Sequence, residues 1–290
     1  MRATTNCIPC YLKQALSAAR EVTDDPEIQR RVVNEVAKLL PQLSLQEAPA
    51  KNSTYALWRA HEVLKCPDPF ADKKRHFNQL AADMYHDLKM LVQDSESRFQ
   101  TAVRVAAAGN IIDLGILDGE DVDLQASVRD ILTQGFAVDE TEPLERKLTR
   151  AGRILYLADN AGEIVFDKVL VEELLSRGAD VVLVVKGAPI LNDATMEDAL
   201  EVGMERLVRV LSNGSPITGT DLKTCSEEFL HEFGRADIVI SKGQANFETL
   251  NETSAPVFFI LRAKCPEVGR ELGVAIGDVV AQFNTRCDHV

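Results

Sequence analysis

Apolar residues recur at three- and four-residue spacing from Asn6 to about Gly109, and this spacing predicts helices. The segments are YLKQALSAAREV, DPEIQRRVVNEVAKLLPQL, YALWRAHEVLK and KKRHFNQLAADMYHDLKMLVQDS. Strand signals are nearly absent there. Asp25 ahead of Pro26 predicts an N-cap followed by proline at the first helical position, with that helix stopping at Pro41.

After ERKLTRAGR the pattern changes to short apolar runs alternating with amphipathic segments. The runs are 153–158, 180–186, 206–212, 237–242 and 256–262, and helical patterns separate the first four. Strand, helix and strand repeated in this way imply right-handed crossovers and a mainly parallel sheet. The fifth run follows the fourth after only GQANFETLNETSA, which makes it either an edge strand or a change of direction. The organisation expected is a mainly helical part over 1–150 and an α/β part over 151–290.

With 290 residues, 46% of them hydrophobic, the chain can bury a substantial core without covalent staples. The formal net charge of -13, from 45 acidic and 32 basic residues, would repel a phosphate backbone, so nucleic acid is not an expected partner. No apolar run approaches the length of a membrane span, and no leader-like segment opens the chain, so a cytoplasmic protein with no membrane association is expected. Six cysteines in a chain of this length fit a reducing compartment better than a disulfide scaffold.

In a parallel sheet the strand ends lie on one rim, where open α/β folds place their chemistry. The first run delivers Asp159, Asn160, Gly162 and Glu163 to that rim, the second Lys186, Gly187, Asn192 and Asp193, and the fourth Lys242, Gly243, Gln244 and Asn246. Each has an ordinary structural reading. Asn160 with Glu163 three residues on fits a capping-box-like start, and Asp193 fits an N-cap ahead of ATMEDAL. Asp159 is the surplus group, because a cap needs only one polar residue. Carboxylates and a carboxamide are hard oxygen ligands suited to Mg²⁺ or Mn²⁺, and affinity alone ranks Co²⁺ and Ni²⁺ above Mn²⁺. Lys186 and Lys242 are candidates to neutralise phosphate oxygens, with Gly162 and Gly243 letting backbone N–H groups approach. No glycine-rich dinucleotide fingerprint, Walker sequence or nucleophile elbow accompanies them. An aspartyl-nucleophile phosphatase would need an acid where Ala161 stands, which leaves a metal-activated water as the expected nucleophile.

LADNAGEIVFDKVLVEEL, KGAPILNDAT, ADIVISKGQANFETL and the upstream AAAGNIIDLG together resemble the metal-dependent damage-control phosphatase family, formerly domain of unknown function 89. The resemblance runs from CIPCYLKQA to ELGVAIGD and points to the branch with an N-terminal C-x-x-C. It implies a Rossmann-like α/β/α sandwich with a helical N-terminal subdomain, hydrolysing small phosphorylated metabolites such as sugar phosphates or damaged phosphometabolites. By the same resemblance Asp159, Asn160 and Asp193 would bind a divalent ion, Lys242 would hold the phosphate, and Asn110 and Asp113 would face the cleft from the helical side. Glu163 is a further candidate, to shape the metal shell or to take a proton. The chain lacks the Asp-Leu-Asn-Tyr-Arg stretch of the sugar-phosphate branch.

Cys7 and Cys10 stand a turn apart at the start of the first helix, and Cys66 and Cys265 share a Lys-Cys-Pro setting. Cys7, Cys10 and Cys265 are candidates for a second, soft metal or a redox pair, against ordinary thiols. Two rival functions use the same rim: a transferase binding a nucleotide or S-adenosylmethionine ribose at Asp159, and a sensor that binds a phosphometabolite without hydrolysing it.

Overall fold

A computed structural model describes residues 1–111, 132–149 and 152–284. Five helices come first: α1 (Ile8–Val22), α2 (Pro26–Leu39), α3 (Pro49–Leu64), α4 (Ala71–Gln93) and α5 (Arg98–Ala108). The α2 start is as its sequence predicts, with the Asp25 carboxylate accepting the Glu27 N–H at 2.8 Å and Pro26 in the first turn. Pro41 lies in a short 3-10 turn after α2 ends at Leu39.

The remainder is a seven-stranded sheet with its crossover helices. In chain order come β1 (Val138–Asp139), α6 (Thr141–Leu148), β2 (Arg153–Leu157), α7 (Glu163–Ser176), β3 (Asp180–Val185) and α8 (Met196–Glu201). There follow β4 (Arg209–Ser212), α9 (Glu227–Arg235), β5 (Ile238–Lys242), α10 (Gln244–Leu250), β6 (Val257–Arg262), α11 (Pro266–Leu272) and β7 (Val279–Phe283). The order across the sheet is β1-β7-β6-β5-β2-β3-β4. All neighbours are parallel except β6 and β7. The fifth apolar run is therefore neither an edge nor a reversal. β6 pairs in parallel with β5, and the direction changes one strand later, at β7.

Strands buried on both faces read as continuous apolar runs rather than as alternation. Ile154, Tyr156, Leu183, Ile238, Ile240, Phe258 and Ile260 point to the face covered by α4, α5 and α7. Leu155, Leu157, Val184, Val239, Phe259 and Leu261 point to the opposite face, with Phe229 of α9, Phe247 of α10 and Val268 of α11. This is the α/β/α sandwich with a mainly parallel sheet that the sequence predicts. Helices α1 to α3 close a smaller cluster around Tyr11, Ala15, Val32, Val36 and Ala56. Helix α7 is apolar nearly all round because it lies between the sheet and α4/α5, burying Ile164, Val165, Phe166, Val169, Leu170 and Leu174. The end of α5 meets α7 so closely that a Cβ on Gly109 would lie 2.9 Å from Phe166 Cβ.

Chain order fixes where a site can form. From β2 the chain moves outward to β3 and β4, then returns to β5 on the other side of β2. The carboxyl ends of β2 and β5 thus flank the switch point at which open α/β sheets bind ligands.

Candidate functional site

Beyond β2 the chain leaves the sheet and is stitched to the loop beyond β3. Ala194 N–H donates to Asp159 O at 2.8 Å, Ala161 N–H donates to Asn192 O at 2.8 Å, and Asn160 and Asp193 form an antiparallel bridge. Two segments more than thirty positions apart in sequence therefore carry Asp159, Asn160 and Asp193 as one unit. Leu191, just before them, takes a left-handed φ of 45°, a local cost of the kind that collects at functional turns.

The side chains form a buried network. Asn160 Nδ2 donates to Asp159 Oδ2 at 2.8 Å and to Glu163 Oε2 at 3.1 Å. From the 3-10 turn after α5, Asn110 Nδ2 donates to the same two oxygens, at 3.2 and 3.0 Å. Two carboxamides thus bracket two carboxylates. Glu163 Oε1 accepts from Lys242 Nζ at 2.6 Å. Lys242 also donates to the Ala106 carbonyl at 2.8 Å and to Asp167 Oδ1, which accepts the Tyr156 hydroxyl at 2.7 Å as well. Glu163, Asp167 and Lys242 have no exposed side-chain surface.

Burial works against the Lys242 charge, but Asp167 and Glu163 outweigh it and raise its pKa above the ordinary lysine value. Burial raises the Asp167 pKa; Lys242 pulls it back and Glu163 pushes it up again, leaving it at about 6. The Tyr156 hydroxyl is pushed up by its burial and then by the Asp167 charge.

Several expected roles change. Asn160 does not cap α7, since Gly162 occupies the N-cap with φ 77° and ψ -51°, and Asn160 spends its amide on carboxylates instead. Asp193 is not the N-cap of α8 either. Thr195 is, in a capping box with Asp198. An ammonium has three donors, and all three of Lys242 are taken by protein oxygens, so it lies beneath the rim as an internal counter-charge. The Gly162 N–H is bound by Asn78 Oδ1 at 2.6 Å and the Gly243 N–H by Ile260 O at 3.0 Å, so neither is offered to a phosphate. What Gly243 supplies is space: a Cβ there would lie 1.9 Å from Asp159 Oδ2, and its φ of 78° also favours glycine. Lys186 turns towards the loop after β4, donating to Gly219 O and to Ile217 O at 3.4 Å, with Asp193 Oδ2 at 3.7 Å. Asp113 lies outside the described residues.

Asp167, Tyr156 and Asn78 were missed in the sequence. Asp167 could have been found, because it follows Glu163 by four residues on one helix and so shares its face.

The donor set suits a hard divalent ion. Two aspartates and carboxamides supply oxygen only, and the Asn110 Oδ1 atom is buried beside them with no hydrogen-bond partner among the described residues. If all ionise, the four carboxylates Asp159, Glu163, Asp167 and Asp193 outnumber Lys186 and Lys242 by two charges. Among the described residues no group of three or more His, Cys, Asp or Glu is arranged to hold a metal, so the candidate set depends on its carboxamides. Cys7, Cys10 and Cys265 are free thiols near one another, burial and then the Cys265 and Cys7 sulfurs pushing the Cys10 thiol up. Cys265 Sγ accepts from Gln244 Nε2 at 3.6 Å, while Cys66 follows the left-handed end of α3 at Lys65.

A family description for the damage-control phosphatase ARMT1-like domain matches residues 3–280. The chain belongs to the damage-control phosphatase family. It is 36% identical over 287 residues to a damage-control phosphatase of Pyrococcus horikoshii, covering 98% of this chain and 99% of that one. A damage-control phosphatase of Archaeoglobus fulgidus is 34% identical over 289 residues, covering 97% and 99%. The crystal structure of a DUF89 family protein from Pyrococcus horikoshii aligns with a TM-score of 0.90 at 35% identity, over 98% of this chain and 100% of that one. No helix among the described residues of this family member is long and apolar enough to cross a membrane.

Proposed function

We propose that this chain is a metal-dependent phosphatase acting on small phosphorylated metabolites, with Asp159, Asn160 and Asp193 holding a divalent ion such as Mn²⁺, Mg²⁺, Co²⁺ or Ni²⁺. The observation that carries the reading is the oxygen-only cluster at the β2/β5 switch point, two negative charges in excess when fully ionised, in a chain from a family named for phosphatases. Bound there, the ion would polarise a phosphoryl oxygen and lower the pKa of a water.

The chain's own residues prepare that site. Asn110 and Asn160 hold the Asp159 and Glu163 carboxylates in place by donating to both. Lys242 acts as a positioning residue: it fixes Glu163 and Asp167 and, through the Ala106 carbonyl, ties β5 to α5. Gly243 leaves Asp159 the room it occupies. Glu163 has both oxygens engaged, which favours a structural role over proton transfer.

The test is phosphate release from p-nitrophenyl phosphate and a panel of sugar phosphates by metal-stripped protein, with each ion added back, beside Asp159→Ala. Metal-dependent release that the variant loses is expected. Binding of a phosphometabolite without release under any ion would favour the sensor, and release that survives in Asp159→Ala would remove the assigned ligand.

A further inference from the structure

Asn78 lies in the middle of α4, 2% exposed, and belongs to neither segment that carries the candidate ligands, yet it bonds to both sides of them. Its Oδ1 accepts the Gly162 N–H at 2.6 Å, and its Nδ2 donates to Asp198 Oδ1 at 3.1 Å and Glu201 Oε2 at 2.7 Å. The orientation of the carboxamide is forced, because an amide N–H needs an acceptor and two carboxylates need a donor. Gly162 sits at φ 77° and ψ -51°, close to the strained γ-turn region, directly after Asp159, Asn160 and Ala161. Asp198 is the residue whose Oδ2 accepts the Thr195 N–H at 2.8 Å and its hydroxyl at 2.7 Å, which fixes the chain just beyond Asp193. Lys74, one turn before Asn78, meets Asp198 Oδ2 from the other side at 3.5 Å and Asp68 at 2.9 Å.

We infer that Asn78 is a positioning residue that sets the spacing between the Asp159-Asn160 turn and the Asp193 loop, so that the helical part of the chain tunes ion affinity without contacting the ion. The inference rests on the metal-site reading proposed above. The two loops already bond to each other through Ala161–Asn192 and Ala194–Asp159, and Lys74 ties α4 to the Asp198 end. Asn78 joins α4 to both ends at once. Outer-shell partners of metal ligands typically change affinity by about 10- to 100-fold when removed.

The experiment uses the full chain as Asn78→Ala, with hydrogen exchange read by mass spectrometry and Mn²⁺ affinity read by titration calorimetry. Expected are faster exchange in peptides spanning 158–166 and 192–201, no change in β2 (Arg153–Leu157), and a Kd for Mn²⁺ raised about 10-fold or more. Turnover should return to within a few-fold of the parent at saturating Mn²⁺. Unchanged exchange in both peptides with unchanged affinity would overturn the inference, as would a kcat loss that saturating Mn²⁺ does not restore. Should Asn78→Ala unfold throughout, Glu201→Ala decides, since it removes only an exposed anchor of Asn78 and should loosen the same two peptides to a smaller degree. Asp159→Ala keeps the two readings apart: if even the parent binds no Mn²⁺ the metal-site reading falls, and the exchange pattern still decides whether Asn78 holds the loops.

Discussion

Replacing Lys242 by methionine keeps most of the side-chain volume and removes one charge. The variant leaves Glu163 and Asp167, both without exposed side-chain surface, and the Ala106 carbonyl without their shared donor. Breaking a buried pair by removing one partner costs about 3–5 kcal/mol, because the surviving charge stays unpaired. Here Asp167 has a way out, which is to take up a proton. Its pKa is about 6 with Lys242 present, raised by burial and held down by the ammonium, so loss of Lys242 raises it further. An unfolded aspartate titrates near about 3.9. Between those values the native state binds more protons than the unfolded state, and stability falls as pH rises. The Lys242 pKa is itself raised, so its own contribution is complete below the unfolded value of about 10.4 and is lost only as pH rises through the folded value. The expected result is a loss of about 3–5 kcal/mol near pH ~8, narrowing at pH ~5 by about 1.4 kcal/mol for each unit by which the Asp167 pKa has risen. Urea unfolding followed by circular dichroism at the two pH values measures both. A Lys242→Met protein within about 1 kcal/mol of the parent near pH ~8, or one equally destabilised at both, would refute the buried counter-charge argument.

Asn110→Asp places a third carboxylate against Asp159 and Glu163, and should destabilise the metal-free protein by about 1–3 kcal/mol. Added Mn²⁺ should recover more stability in this variant than in the parent, read as the rise in melting temperature with ion concentration; no recovery would count against an ion at this place. Gly243→Ala puts a methyl group 1.9 Å from Asp159 Oδ2 on a backbone at φ 78°, so it should cost about 1–3 kcal/mol in thermal unfolding and weaken Mn²⁺ binding more than 10-fold by titration. Burial holds the Cys225 thiol at about 12 while Cys10 is exposed, so iodoacetamide near pH ~8 should label Cys10 well before Cys225 in a peptide mass-spectrometric time course.

The sheet was legible because β2, β3, β5 and β6 are covered on both faces and therefore carry unbroken apolar runs. β1 has two residues, too few for any periodicity, and β7 is a five-residue run ending in Gln282 and Phe283 that pairs antiparallel with β6 after a short helix. Asp159 and Asn160 stood out as polar groups in excess of what a helix start needs. The role of Lys242 was misread although a signal existed: alternation along β5 puts it on the same inward face as Ile238 and Ile240, under α7 rather than out on the rim. Asn78 gave no signal, since a polar residue inside an amphipathic helix reads as its solvated face, and only tertiary contact with Gly162 shows otherwise.

The inward turn of Lys242 also explains why helix α5 and the site are one object. A buried lysine between two carboxylates could be satisfied entirely within the α/β part, yet its third donor goes to the Ala106 carbonyl near the end of α5, three residues before the close approach of Gly109 to Phe166. The next residue, Asn110, then reaches Asp159 and Glu163. Moving α5 away would therefore leave a donor of the fully buried Lys242 unpaired and strip a carboxamide from two neighbouring carboxylates at once. Each loss costs about 1–3 kcal/mol or more where a charge is involved. The electrostatic order of the rim thus adds to the shared apolar core of α5 and the sheet in fastening the helical part to the site.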